Sequence, residues 1–177
     1  LSRLVNQLLD LAKIESGHAQ WHNTDIDLAQ LLQQAVQTTA EVFHERGARV
    51  QLTLPGQPVV LRADPDRLTQ VVLNLLTNAA KFMPQQDGRV HVTLSTSTRG
   101  ARVVIHDNGP GIAPSHRQHI FERFHQIQDD GYRPQGTGLG LPISRQIIEH
   151  FGGQIWIDSD ATPGACFVFE LPWHTMA

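Results

Sequence analysis

Asp107-Asn108-Gly109-Pro110-Gly111-Ile112 and Gly136-Thr137-Gly138-Leu139-Gly140-Leu141 form two glycine clusters, separated by a polar and aromatic stretch. Glycines at this density let a backbone approach something large and offer its N–H groups to anions. The first cluster also carries a carboxylate that needs a partner. Alternation from Ala101 to Asp107 puts Val103, Ile105 and Asp107 on one strand face. A carboxylate ending an apolar face is costly unless a donor reaches it. The amino group of adenine is such a donor, so the pair of clusters points to a purine nucleotide.

A second constellation lies upstream on a predicted helix. Leu68, Val71, Val72, Leu75, Leu76 and Ala79 form its buried stripe. Gln70, Asn74, Asn78 and Lys81 fall on a neighbouring face, because steps of three and four residues return to within about 60°. An Asn oxygen suits Mg²⁺, which keeps several waters and borrows phosphate oxygens. Lys81 suits a phosphate as a point charge. Spacing alone leaves a solvated helix face as the competing reading, and the glycine clusters downstream weigh against it.

The elements that must position these groups are legible. Asp27 with Gln30 is a capping-box variant for a helix whose stripe runs through Leu28, Leu31, Leu32, Ala35, Val36, Thr39, Val42 and Phe43. Strands are expected at Val50–Leu54 and Val59–Ala63. Asp64-Pro65 starts the polar-faced helix, which runs to about Phe82. Gly88–Thr98 and Ala101–Asp107 read as a hairpin turning at Arg99-Gly100. A third helix is expected over Leu139–Phe151, then strands near Gln154–Asp158 and Cys166–Leu171. Mixed hairpins and helices predict a two-layer α/β sandwich, a mixed, mostly antiparallel sheet on three helices, and not a doubly wound parallel sheet. Upstream, Leu1, Leu4, Leu8 and Leu11 recur at bundle-seam spacing, with Gly17 as a helix stop. That segment reads either as a helix docked on its own domain or as the tail of a dimerising bundle. Opening on Leu1 in mid-pattern, the chain reads as a fragment.

Bulk properties exclude several classes. A length of 177 residues suits one domain with an appendage, and a formal net charge of −3 gives no electrostatic reason to expect nucleic acid. A single cysteine, Cys166, excludes an internal disulfide. No apolar run reaches the roughly 18 residues of a membrane span. His116 with His119, and His18 with His22, have metal-pair spacing but lack recognisable Cys or carboxylate partners, so they read as surface residues.

These motifs together resemble the catalytic and ATP-binding domain of bacterial sensor histidine kinases, part of an ATPase superfamily shared with gyrase, mismatch-repair and heat-shock chaperone proteins. Asp64 to Phe82 resembles the family's N box, and Asp107 to Ile112 its G1 box. Phe121-Glu122-Arg123-Phe124 resembles the F box and Gly136 to Leu141 the G2 box. Gly164 to Pro172 is similar to the family's last strand, and Leu8 to Gly17 to the end of the dimerisation bundle's second helix. The implied division is 1–17 bundle-helix end, 18–24 linker and 25–174 ATP-binding domain.

The resemblance implies a role for each matching residue. Asp107 would accept the adenine amino hydrogen, Gly109 and Gly111 would leave room for the ring, and Ile112 would belong to the same wall. Asn78 would coordinate Mg²⁺, Asn74 would sit near the phosphates, Lys81 would contact phosphate and Phe82 the sugar or base. Residues about 125–137 would form a mobile lid, with Phe121 and Phe124 at its base. Thr137, Gly138, Leu139 and Gly140 would bind phosphate at a helix N-terminus. Catalysis would consist of positioning and charge neutralisation in phosphoryl transfer to a histidine.

There are departures from the family pattern. Met83 stands where the family usually has a hydroxyl residue, as does Ala165, and loss of one water-mediated adenine contact is worth about 1 kcal/mol. The phosphoacceptor box is absent from this sequence, so the acceptor histidine is expected on a bundle outside it. Expected partners are that bundle, in the same or a partner subunit, and a response-regulator receiver domain; a homodimer is expected for the full-length kinase. The domain is expected in the cytoplasm, either free or as the inner-facing part of an inner-membrane sensor. Two alternatives remain: a nucleotide-silent interaction module, and a serine kinase or DNA-linked ATPase of the same superfamily. Intact motifs weigh against the first. Asn74, where such ATPases carry a Glu base, weighs against the second.

Overall fold

A computed structural model of the chain describes residues 1–127 and 136–173. In chain order these form α1 (Ser2–Glu15), β1 (Thr24–Asp27), α2 (Leu28–Glu45), β2 (Arg49–Thr53), β3 (Val60–Ala63) and α3 (Pro65–Phe82). They continue through β4 (Arg89–Thr96), β5 (Gly100–Asp107), α4 (Pro114–Arg117), α5 (Gly140–His150), β6 (Gln154–Ile157) and β7 (Cys166–Pro172). The main sheet has the order β2-β4-β5-β7-β6, with only β2 and β4 parallel. α2, α3 and α5 pack against it, giving the two-layer α/β sandwich expected from the sequence.

Period-2 burial explains the sheet's two faces. Val92, Ile105 and Phe167 stand in register across three strands, as do Leu94, Val103 and Phe169, and all six belong to the core. The opposite face carries the exposed Arg102–Glu170 ion pair at 2.7 Å. Asp107 ends β5 on the core face, only 5% exposed, as the alternation predicted.

Two aspartates set the helices' starting points. Asp27 accepts from Ala29 N at 3.0 Å and also from Val59 N at 3.1 Å, so the α2 cap ties down the chain entering β3. Asp64 Oδ1 accepts from the N–H groups of Asp66 and Arg67 at 3.0 and 3.2 Å. Its Oδ2 accepts from His22 N at 2.8 Å, which fastens the segment after α1. Capping of this kind is worth about 1 kcal/mol per helix.

Two features that the sequence did not settle are tertiary in origin. β3 leaves the main sheet and pairs antiparallel with β1, a strand the sequence did not announce because Thr24–Asp27 carries one aliphatic residue in four. α1 lies back on the domain, with Leu11 1% exposed and Leu4 and Ile14 packed against the core. Its other side stays bare: Val5, Leu8 and Leu9 are 43–55% exposed. The connection after α1 is pinned by Trp21, stacked on His150 at 3.6 Å between ring centroids and lying under the Arg67 guanidinium at 5.6 Å. Among the described residues no helix is long and apolar enough to cross a membrane.

Candidate functional site

α3, the end of β5 and the start of α5 converge on one pocket. α3 brings Asn74, Asn78, Lys81 and Phe82 to its wall, one or two turns apart as the spacing predicted. Asp107, Gly111 and Ile112 enter from the end of β5 and the turn that follows. Gly136, Thr137, Gly138 and Gly140 enter around the N-terminus of α5. Three predicted residues lie outside the lining. Leu139 is fully buried, because as the α5 cap it points into the core. Phe124 sits at φ +58° and is 57% exposed, its N–H bonded to Gly138 O at 3.0 Å. Gly109 acts on the pocket through Asp107. The middle of the expected lid, residues 128–135, lies outside the described residues.

The Asp107 carboxylate is asymmetric. Its Oδ1 accepts from Gly109 N at 2.8 Å and from Ala165 N at 3.1 Å. Among the described residues no donor reaches Oδ2. Burial raises the Asp107 pKa above its ordinary value, while the two backbone N–H groups and His106 pull it back. The result is an acceptor fixed by backbone, with one oxygen left for a ligand donor.

Glycines hold this corner closed to side chains. A Cβ at Gly109 would meet Phe82 O at 2.6 Å, and one at Gly164 would meet Asp107 O at 1.7 Å. At Gly111, φ of +77° and a Cβ contact of 2.9 Å with Gly164 O both demand glycine.

The two asparagines differ. Asn74 Nδ2 donates to the buried Ser144 Oγ at 3.0 Å, and its Oδ1 lies where a Gly140 Cβ would come within 2.2 Å. Asn74 therefore locks α3 to α5 at the pocket edge. Among the described residues no hydrogen bond occupies the Asn78 carboxamide, so its oxygen is available to a hard cation such as Mg²⁺. Lys81 is half-buried, and burial first, then the Arg3 charge, lowers its pKa below 10.5.

Sequence reasoning missed the contribution of α1. Arg3 and Gln7 both line the pocket, and Thr137 Oγ1 donates to Gln7 Oε1 at 2.5 Å. No motif marks them, because their role depends on how α1 docks. Ala165, noted from sequence only for its missing hydroxyl, contributes its backbone N–H. His116 and His119 come within 5.6 and 5.9 Å of His125, ring to ring. Among the described residues no cluster of three His, Cys, Asp or Glu side chains could hold a metal ion.

The profile of the family described as "Histidine kinase-, DNA gyrase B-, and HSP90-like ATPase" matches residues 63–175. The chain is 33% identical over 173 residues to the adaptive-response sensory kinase SasA of Gloeothece citriformis, covering 97% of this chain and 44% of that protein. It is 36% identical over 180 residues to the circadian input-output histidine kinase CikA of Synechococcus elongatus, covering 99% of this chain and 24% of that protein. The chain thus spans less than half of these relatives. Among solved structures, full-length ShkA in complex with AMPPNP superposes with a TM-score of 0.84 at 32% identity, over 99% of this chain and 36% of that one. The nucleotide-free catalytic domain of the histidine kinase ThkA gives 0.76 at 27% identity, over 86% of this chain and 98% of that one.

Proposed function

Because this chain belongs to the histidine kinase-, DNA gyrase B- and HSP90-like ATPase family, we propose that residues 25–174 bind Mg²⁺·ATP and donate its γ-phosphoryl group to a histidine on a separate helical bundle. The single observation that carries the nucleotide reading is Asp107, with Oδ1 held by two backbone N–H groups and, among the described residues, no donor on Oδ2. A purine amino group is the ligand chemistry that completes it, and the glycines around it let the backbone pack closely enough to hold that carboxylate in place.

At the other end of the pocket the chemistry is cationic. Lys81 and the backbone N–H groups at the start of α5 suit phosphate oxygens. Asn78 would hold Mg²⁺, which supplies charge neutralisation on a polyphosphate when bound. Asn74, donating to Ser144, has no carboxylate with which to take a proton from water. That position therefore offers no base for hydrolysis, which favours a site that positions and neutralises. The similarity to SasA and CikA supports a sensor-kinase setting. In that setting α1 ends the second bundle helix, residues 18–24 form the linker, the acceptor lies outside this chain and a receiver domain takes the phosphoryl group onward. The same setting favours a homodimer and a cytoplasmic location for this domain.

Calorimetric titration with a non-hydrolysable ATP analogue, with and without Mg²⁺, is the test. Saturable binding that Mg²⁺ strengthens is expected, followed by phosphate transfer to a separately supplied bundle carrying an acceptor histidine. A folded chain that binds no nucleotide overturns the proposal.

A further inference from the structure

α1 stands outside the segment matched by the family profile, which begins at residue 63, yet it is fastened to the domain along its whole length. Leu11 is buried beneath it. Asp10 receives Arg67 Nη1 on both carboxylate oxygens, at 2.7 and 2.8 Å, and Gln70 Nε2 at 3.2 Å. Glu15 pairs with Arg123, and Gln7 accepts the Thr137 hydroxyl. The Asp10–Arg67 pair is about four-fifths buried on both sides, with side chains 22% and 20% exposed, so it is less screened than a surface pair.

This docking has a consequence for charge. Arg3 lies one helical turn before Gln7, on the same face, and both reach the pocket. Among the described residues no carboxylate pairs with Arg3. Arg3 and Lys81 line the same pocket, and the Lys81 pKa is lowered first by burial and second by the Arg3 charge. Asp107 is the one carboxylate among the described lining residues, and it stands apart at the end of β5. Among the described lining residues, the carboxylate stands where the base would bind, and Arg3 and Lys81 stand where α1 crosses. A phosphate group there would be drawn by both positive charges.

We propose that Arg3 is a phosphate-contacting residue that α1 delivers into the pocket, so that a polyphosphate nucleotide binds more tightly when α1 is docked. The proposal rests on the nucleotide reading above. By linkage the effect is reciprocal: the nucleotide strengthens α1 docking by the same factor. Adenosine, which has no phosphate, gains nothing from Arg3.

Arg3→Ala and Arg3→Lys, both at an exposed position, test this in the intact chain. Affinity for the non-hydrolysable triphosphate analogue should fall about three- to tenfold in Arg3→Ala and recover in large part in Arg3→Lys. Competition by adenosine should be the same in all three proteins. The affinity of Arg3→Ala should also depend less steeply on salt, since one screened charge pair is gone. A second variant, Gln7→Ala/Asp10→Ala, loosens α1 while keeping Arg3, and should show the same triphosphate-selective loss. Unchanged triphosphate affinity in Arg3→Ala overturns the proposal, and so does an equal loss for adenosine, which would mark a merely structural role. A folded wild-type chain that binds neither compound overturns the nucleotide reading itself.

Discussion

Replacing Asp107 by Asn should separate ligand recognition from folding. The isosteric amide keeps an oxygen at Oδ1, so the bonds from Gly109 N and Ala165 N, now at 2.8 and 3.1 Å, survive. What changes is the atom facing the pocket: an acceptor oxygen becomes an N–H donor. Against an adenine amino group this removes a charge-assisted hydrogen bond, worth about 1.5–3 kcal/mol, and sets donor against donor, costing a further ~1–3 kcal/mol. At 1.4 kcal/mol per decade, affinity for ATP should fall at least about 50-fold. Discrimination against GTP, which carries a carbonyl where adenine has its amino group, should narrow or reverse. Stability should move the other way. Because burial raises the folded pKa above 3.8, the native protein holds this proton more tightly than the unfolded chain. The stability this contributes is fully present below about pH 3.8 and is lost as pH rises through the raised folded pKa. The Asn variant has no such loss, so at neutral pH it should melt no lower than wild type. Titration calorimetry with ATP and GTP analogues, paired with thermal melts from pH 4 to 8, reads both effects. An ATP affinity within tenfold of wild type, in a folded variant, would refute the placement of the base.

Asn78→Ala should bind the ATP analogue in excess Mg²⁺ about as weakly as wild type does in EDTA, with little change in EDTA itself; calorimetry under both conditions checks this. Lys81, whose folded pKa lies below 10.5, should take up protons when phosphate restores its charge. Binding enthalpies measured at alkaline pH in two buffers of different ionisation heat should reveal that uptake, and Lys81→Met should abolish it. Gly164→Ala places a Cβ 1.7 Å from Asp107 O at φ +96°, so it should cost at least ~2 kcal/mol in denaturant unfolding and displace the carboxylate. Asp64→Ala removes three acceptor contacts, to Asp66, Arg67 and His22. It should destabilise by about 2–3 kcal/mol, and a loss under 0.5 kcal/mol would show that water replaces them.

Elements whose signals are local are legible in the amino-acid order alone. Asp27 and Asp64 announced helix starts because a capping carboxylate acts within three residues. Alternation along β5 announced both the strand and the face of Asp107, since the side-chain period of a strand is two. The stripe and polar column of α3 were equally readable, because one helix fixes the relative directions of Asn74, Asn78 and Lys81. Tertiary structure decided whatever depends on partners far along the chain. Asn74 lines the pocket wall, and its bond to Ser144, 70 residues away, is a contact that only the fold brings about. Pairing of β1 with β3 rests on register between two short strands, which neither encodes alone. Arg3 and Gln7 carry no motif, and they reach the pocket only because Asp10, Leu11 and Glu15 seat α1 on a surface assembled from α3, α5 and the turn at Arg123. A local pattern fixes which way a side chain points on its own element; docking free energy, summed over many weak contacts, fixes what it points at.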